Sequence, residues 1–175
     1  LFDGDNGSTP KASVYGVSNS EISHCTITNM KQTDGWATGI RLAWYCLNNK
    51  ILDNNISYVG HEGIKLNNYC DYAIIRNNTV SHTGEQNTGD HLGIELWGEN
   101  HYAIVEDNTM DCWLSMDACD NSAIRRNTVA DTDNVFNWIG LEVMGQDIIM
   151  TGNTITNAAT IGLSSSNINR KKYMY

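Results

Sequence analysis

The chain has 175 residues, with 20 Asp and Glu against 11 Lys and Arg and a net charge of −9. That balance argues against nucleic acid as a partner and weakens unassisted binding of a polyanion. No stretch approaches the ~20 apolar residues of a membrane span, and no secretory signal peptide is present in the sequence.

Read in chain order, the first candidate strand centres on Ile22, three residues before Cys25-Thr26-Ile27. The arrangement then returns. Ile51 precedes Asn54-Asn55-Ile56, and Ile75 precedes Asn78-Thr79-Val80. Val105 precedes Asn108-Thr109-Met110, Ile124 precedes Asn127-Thr128-Val129, and Met150 precedes Asn153-Thr154-Ile155. Self-similarity at a spacing of roughly 20–30 residues is the signature of a solenoid.

A further short strand lies between successive copies. Ile40-Arg41-Leu42, Ile64-Lys65-Leu66 and Ile94-Glu95-Leu96 each begin 14 residues before an Asn of the repeat, while Leu114-Ser115-Met116 and Leu141-Glu142-Val143 begin 13 and 12 before theirs. Side chains alternate faces along a strand. The outer two residues of each triplet therefore point inward, and Arg41, Lys65, Glu95, Ser115 and Glu142 form an outward column. One step along, Ala43, Asn67, Trp97, Asp117 and Met144 are read as the next outward column. The stretch from this strand to the Asn is nearly constant. The stretch from the Asn to the next such strand varies through 10, 16, 6 and 14 residues, which is what a coil with loops on one flank gives.

The sequence has 22 Asn, and the recurrent Asn shares a fixed offset from an apolar column. Stacked strands lie about 4.8 Å apart, so these Asn are expected to form a hydrogen-bonded ladder. Asn also tolerates the left-handed backbone of a sharp corner.

The strand triplets, the Asn column and the repeat length resemble the right-handed parallel β-helix family, the pectate-lyase-like group, over roughly Val14 to Leu163. The resemblance implies an all-β, single-stranded parallel β-helix. Six to seven rungs in one domain over 1–175 are expected. Both ends read as uncapped, so the chain is taken as a fragment or processed piece of a longer protein, or as one closed by a capping partner or by end-to-end self-association. The resemblance further implies an extracellular or cell-surface protein whose partner is a polysaccharide, acting as a lyase or epimerase on a uronate glycan. The competing class is a non-catalytic structural or adhesive β-helix, such as a fibre, tailspike or surface-layer segment.

The first-strand face is where chemistry is expected. Arg41 over Lys65 over Glu95 is read either as a surface charge ladder or as the cationic part of a β-elimination site. Such a site needs a base for the proton α to a carboxylate and a cation for the developing enolate. Lyases of the alginate and chondroitin type place Lys and Arg on neighbouring rungs; here Arg41 precedes Lys65, the reverse order. The Asn-Thr-Asp, Asp-Asp, His-Gly and Arg-x-Lys set of the family's polygalacturonases is absent.

The catalytic set is therefore Lys65, Arg41, His61, His91 and Glu95, the two His each lying three residues before a strand. Substrate contacts are assigned to Trp97, Asn67, Asp90, Trp113, Trp138 and Glu142, since an exposed indole suits the apolar face of a pyranose. Glu95 and Asp117, on adjacent rungs, are the candidate ligands for Ca²⁺, which takes carboxylate oxygens. Cys46 and Cys70 occupy equivalent positions on adjacent rungs, as a disulfide or as two stacked thiols. No CxxC pair suggests a zinc site.

Overall fold

A computed structural model describes residues 16–30, 37–84, 92–130, 139–158 and 161–165. Within these residues the chain winds into six rungs of three short strands. The first rung is β1 (Glu21–Ser23), β2 (Thr26–Met30) and β3 (Ile40–Ala43), and the second is β4 (Lys50–Leu52), β5 (Asn55–Val59) and β6 (Ile64–Asn67). The third is β7 (Ile74–Arg76), β8 (Thr79–Thr83) and β9 (Leu92–Trp97), and the fourth β10 (Ile104–Glu106), β11 (Thr109–Met110) and β12 (Trp113–Asp117). The fifth is β13 (Ala123–Arg125), β14 (Thr128–Ala130) and β15 (Ile139–Met144), and the last β16 (Ile149–Thr151), β17 (Thr154–Thr156) and β18 (Ile161–Ser165). Every third strand pairs in parallel, giving three six-stranded sheets. Sheet A starts with β1, sheet B with β2 and sheet C with β3. The chain is an all-β, right-handed parallel solenoid, and no helix occurs among the described residues.

The columns read from the sequence are the columns of the structure. Ile40, Ile64, Ile94, Leu114 and Leu141 stand in register up sheet C, as do Arg41, Lys65, Glu95, Ser115 and Glu142 beside them. Ile51, Ile75, Val105 and Ile124 from sheet A and Ile56, Val80, Met110 and Val129 from sheet B complete one continuous core. Burying each such side chain is worth about 1.5–3 kcal/mol, which is how strands of two to six residues hold together. Ala43 departs from its expected outward place and is fully buried.

A glycine column runs beside the core in sheet C. Gly39, Gly63, Gly93, Gly140 and Gly162 each precede the inward Ile or Leu. A Cβ on Gly63 would collide with Val80 Cγ1 and lie 2.7 Å from the Gly93 carbonyl oxygen. At Gly39 and Gly63 the backbone of the next rung approaches too closely for a side chain.

The Asn ladder is complete in its geometry. The side-chain oxygen of Asn78 accepts from the Asn54 backbone N–H and Nδ2, both at 3.0 Å. Asn108 receives the same two bonds from Asn78, Asn127 from Asn108, and Asn153 from Asn127. Each Nδ2 also donates to an inward residue's carbonyl one rung back: Asn54 to Ile22, Asn78 to Ile51, Asn108 to Ile75. Cys25 stands at the head of the ladder, and only its backbone N–H donates to Asn54 Oδ1. Buried backbone and amide groups are thereby satisfied, as they must be.

The left-handed backbone sits one residue earlier than expected. His24, Asp53, Asn77, Asp107, Arg126 and Gly152 have φ between 53° and 66°, while the ladder Asn do not. The corner residues before the last rung donate their backbone N–H groups to the next rung, as Asp53 does to the Arg76 carbonyl, and the ladder Asn that follows turns its amide into the stack.

Candidate functional site

The outward face of sheet C carries a cleft of about 270 Å³ lined by Thr38, Arg41, Lys65, Asn67 and Trp97. Pairing of β3 with β6 sets Arg41 beside Lys65, and pairing of β6 with β9 sets Lys65 beside Glu95 and Asn67 beside Trp97. Trp97 is 47% exposed and offers an open indole face.

Beneath the cleft lies a buried ionic network. Lys65 Nζ is 2.5 Å from Glu62 Oε1 and 2.6 Å from Glu95 Oε2. His61 Nδ1 lies 2.5 Å from the same Glu62 oxygen, a contact that is ionic when the imidazole is protonated. Thr38 Oγ1 donates to Glu62 Oε2 at 2.7 Å. Glu62 is wholly inaccessible to solvent. Burial favours its neutral form, but hydrogen bonds from His61 and Lys65 and the Lys65 charge outweigh that and hold Glu62 well below the usual carboxylate range.

Burial also works against the Lys65 charge, yet Glu62 and Glu95 outweigh it, and the ammonium is held above its ordinary value. Glu95 goes the other way: burial pushes it up, and the neighbouring Glu62 charge adds to burial against the pull of Lys65. The two carboxylates on one ammonium are thus shifted in opposite directions. Glu62 and Glu95 together favour the charged form of Lys65, while burial favours the neutral form of Glu95.

Arg41, Lys65, Asn67 and Trp97 of the sequence-derived site come together at the cleft, with Glu95 and His61 adjoining Lys65 through the network. Glu142 is further up the sheet, where it accepts from Ser115 Oγ at 2.9 Å. Trp113 does not join them: it is buried in a satellite cluster with Leu92 and Ile139. The cause is a register shift between Trp113 and Leu114, where β12 meets β9 across the extra residue at Gly93. His91, Asp90 and Trp138 lie outside the described residues.

Glu95 of the expected calcium pair, Glu95 and Asp117, lies against Lys65, and among the described residues no three His, Cys, Asp or Glu are grouped so that they could hold a metal ion. All five cysteines are free thiols, so Cys46 and Cys70 are stacked rather than bonded.

Glu62 and Thr38 are the members that sequence reading missed. Their signal is thin, since Glu62 follows His61 in a connecting segment and has no counterpart in the other repeats. Three stacked aromatic pairs also escaped notice: Tyr45 on Tyr69, Tyr72 on Tyr102 and Tyr58 on His82. The first two lie on the turn from sheet C to sheet A.

A match to the family of right-handed β-helix regions covers residues 5–111. That is more than half of the chain, and the chain belongs to this family. No curated protein and no solved structure matches it.

Proposed function

We propose that the sheet C cleft binds a uronate-containing polysaccharide outside the cell, and that proton transfer in it runs through Glu95. The observation that carries the reading is the exposed Trp97 indole beside Arg41, Lys65 and Asn67 in one cleft. An indole face suits the C–H side of a sugar ring, and a guanidinium suits its carboxylate through paired hydrogen bonds. Arg41 lines the cleft and its planar, multi-donor guanidinium matches a carboxylate, so it is the cation assigned to the uronate. In an elimination, Glu95 takes the proton α to the carboxylate, the electrons form the double bond, the glycosidic C–O bond breaks, and the departing oxygen takes a proton from water.

Calorimetry against a panel of uronate polymers tests the binding step, and near-ultraviolet absorbance of unsaturated uronates tests the elimination. A binding component that Trp97→Ala weakens about tenfold or more supports the reading, and absence of binding across the panel overturns it. A non-catalytic structural β-helix is the second reading, favoured by the saturation of Lys65 by Glu62 and Glu95. It is supported if the polymers bind without turnover or if the particle in solution is a filament.

A further inference from the structure

The chain is strongly acidic, yet its cations are not spread evenly. Six Lys and Arg fall among the described residues: Arg41, Lys50, Lys65, Arg76, Arg125 and Arg126. Three of them converge on one carboxylate on the outer face of sheet A. Arg76 NH1 is 3.6 Å from Glu106 Oε1, while Arg125 NH2 and Arg126 NH2 are 3.2 and 2.9 Å from Glu106 Oε2. Arg126 also grips Asp107 through Nε and NH2, at 2.7 and 2.8 Å.

Glu106 is buried beneath these groups at 8% exposure. Three guanidiniums against two carboxylates leave a local excess of positive charge on a chain of net charge −9. Each guanidinium has five N–H donors, and the ion pairs use only some of them. Register fixes the spacing: Arg76, Glu106 and Arg125 are successive residues of one column, so Arg76 and Arg125 stand two strand spacings apart, about 10 Å.

The surroundings are equally particular. The preceding outward column of sheet A holds Ile74, Ile104, Ala123 and Ile149. On the turn that leads into it, Tyr72 and Tyr102 stack at 4.8 Å with their planes 5° apart, and both remain about half exposed. Aromatic edge, aliphatic strip and guanidinium row therefore follow one another across the sheet. Guanidiniums in carboxylate-held positions are preorganised for planar anions, and the apolar strip suits a sugar ring more than a hydrated free ion.

We infer that the outer face of sheet A is a second binding site, for an acidic polysaccharide lying along the solenoid axis with its anionic groups on Arg76, Arg125 and Arg126. Glu106 organises the three guanidiniums. The carboxylate of a uronate and the sulfate of a sulfated sugar share the chemistry. This site is separate from the sheet C cleft and does not depend on it.

The test is calorimetry of the full chain with oligogalacturonate and, in a second arm, a sulfated heparin oligosaccharide, at low and high salt. Arg76→Gln combined with Arg125→Gln is expected to weaken binding of at least one of them about tenfold or more, two charged hydrogen bonds being lost. Trp97→Ala leaves this component unchanged, which separates it from the cleft. Arg76→Gln alone, at an exposed residue with one long contact, keeps the test open if the double variant unfolds, and is expected to give a smaller loss. Binding unchanged in the Arg variants, or no binding of either oligosaccharide, overturns the proposal. Equal affinity for a single-stranded oligonucleotide overturns the commitment to a glycan.

Discussion

Asn127 takes two hydrogen bonds on one oxygen from Asn108, from its backbone N–H at 3.1 Å and from its Nδ2 at 2.9 Å. The same Nδ2 donates to the Ile75 carbonyl at 3.0 Å. Asn108→Ala removes these side-chain bonds and takes away the acceptor of the Asn78 backbone N–H and the side-chain donor to the Ile75 carbonyl in the core. At about 1–3 kcal/mol for each buried group left unsatisfied, urea unfolding should show a loss of about 3 kcal/mol or more. Cys25→Asn should do the reverse, since it supplies the amide that the ladder lacks at its head, for a gain of about 0.5–1 kcal/mol.

Lys65→Met leaves the fully buried Glu62 with one cation fewer, and a loss of about 3–5 kcal/mol is expected in the same assay. The pH dependence follows from the two groups. Glu62 has a folded pKa below its unfolded value near 4.5, so its contribution is present above that pH and is lost as the solution is acidified further. Lys65 has a folded pKa above its unfolded value near 10.5, so its contribution is complete below that pH and is lost on moving alkaline through the folded pKa. Unfolding midpoints across pH should show both flanks, and the alkaline one should shrink in Lys65→Met.

Gly63→Ala places a methyl group against Val80 and the Gly93 carbonyl, with no flexible neighbour to yield. Overpacking of this kind costs about 1–3 kcal/mol. Gly162 occupies the equivalent position on the last rung, where the nearest atom to an added Cβ is Ile155 Cγ2 at 4.0 Å. Thermal unfolding should therefore report a clear drop in midpoint for Gly63→Ala and almost none for Gly162→Ala.

Thiol labelling gives a third kind of check. Cys25 is exposed, whereas Cys46, Cys70, Cys112 and Cys119 are buried. A hydrogen bond to Cys46 and burial push the Cys70 thiol up, and burial with the Asp111 charge does the same to Cys112. Since the thiolate is the reactive form, a native-state titration should modify one cysteine quickly and the other four only on unfolding. Cys25→Ser should remove the fast phase.

Trp97 is half exposed and carries little of the core. Trp97→Ala should leave the unfolding midpoint within about 0.5 kcal/mol of the parent, as surface changes do, while cleft binding falls about tenfold or more with the stacking surface lost. Calorimetry beside a melting curve separates the two effects.

The parts of this molecule that repeat were the parts legible in its sequence. Ile40, Ile64, Ile94, Leu114 and Leu141 share an offset from Asn, and repetition turns a weak local pattern into a register. What occurs once was not legible. Glu62 matters because Lys65 and Thr38 reach it from different places in the chain, and nothing at position 62 announces that. Trp113, assigned to an open face from the sequence, is under cover because the register shifts at the extra residue Gly93. The guanidinium cluster around Glu106 was hidden because Arg126 holds the left-handed corner, a position the sequence had suggested for the ladder Asn itself.

The ladder also has a direction. Every carboxamide oxygen accepts from the rung before it, so the donors of each rung wait for the Asn of the next. A chain emerging from the ribosome delivers its rungs in that same order. Each finished turn presents a pair of N–H groups that the following turn arrives to fill, and the coil can be built vectorially, with every rung serving as the template for its successor.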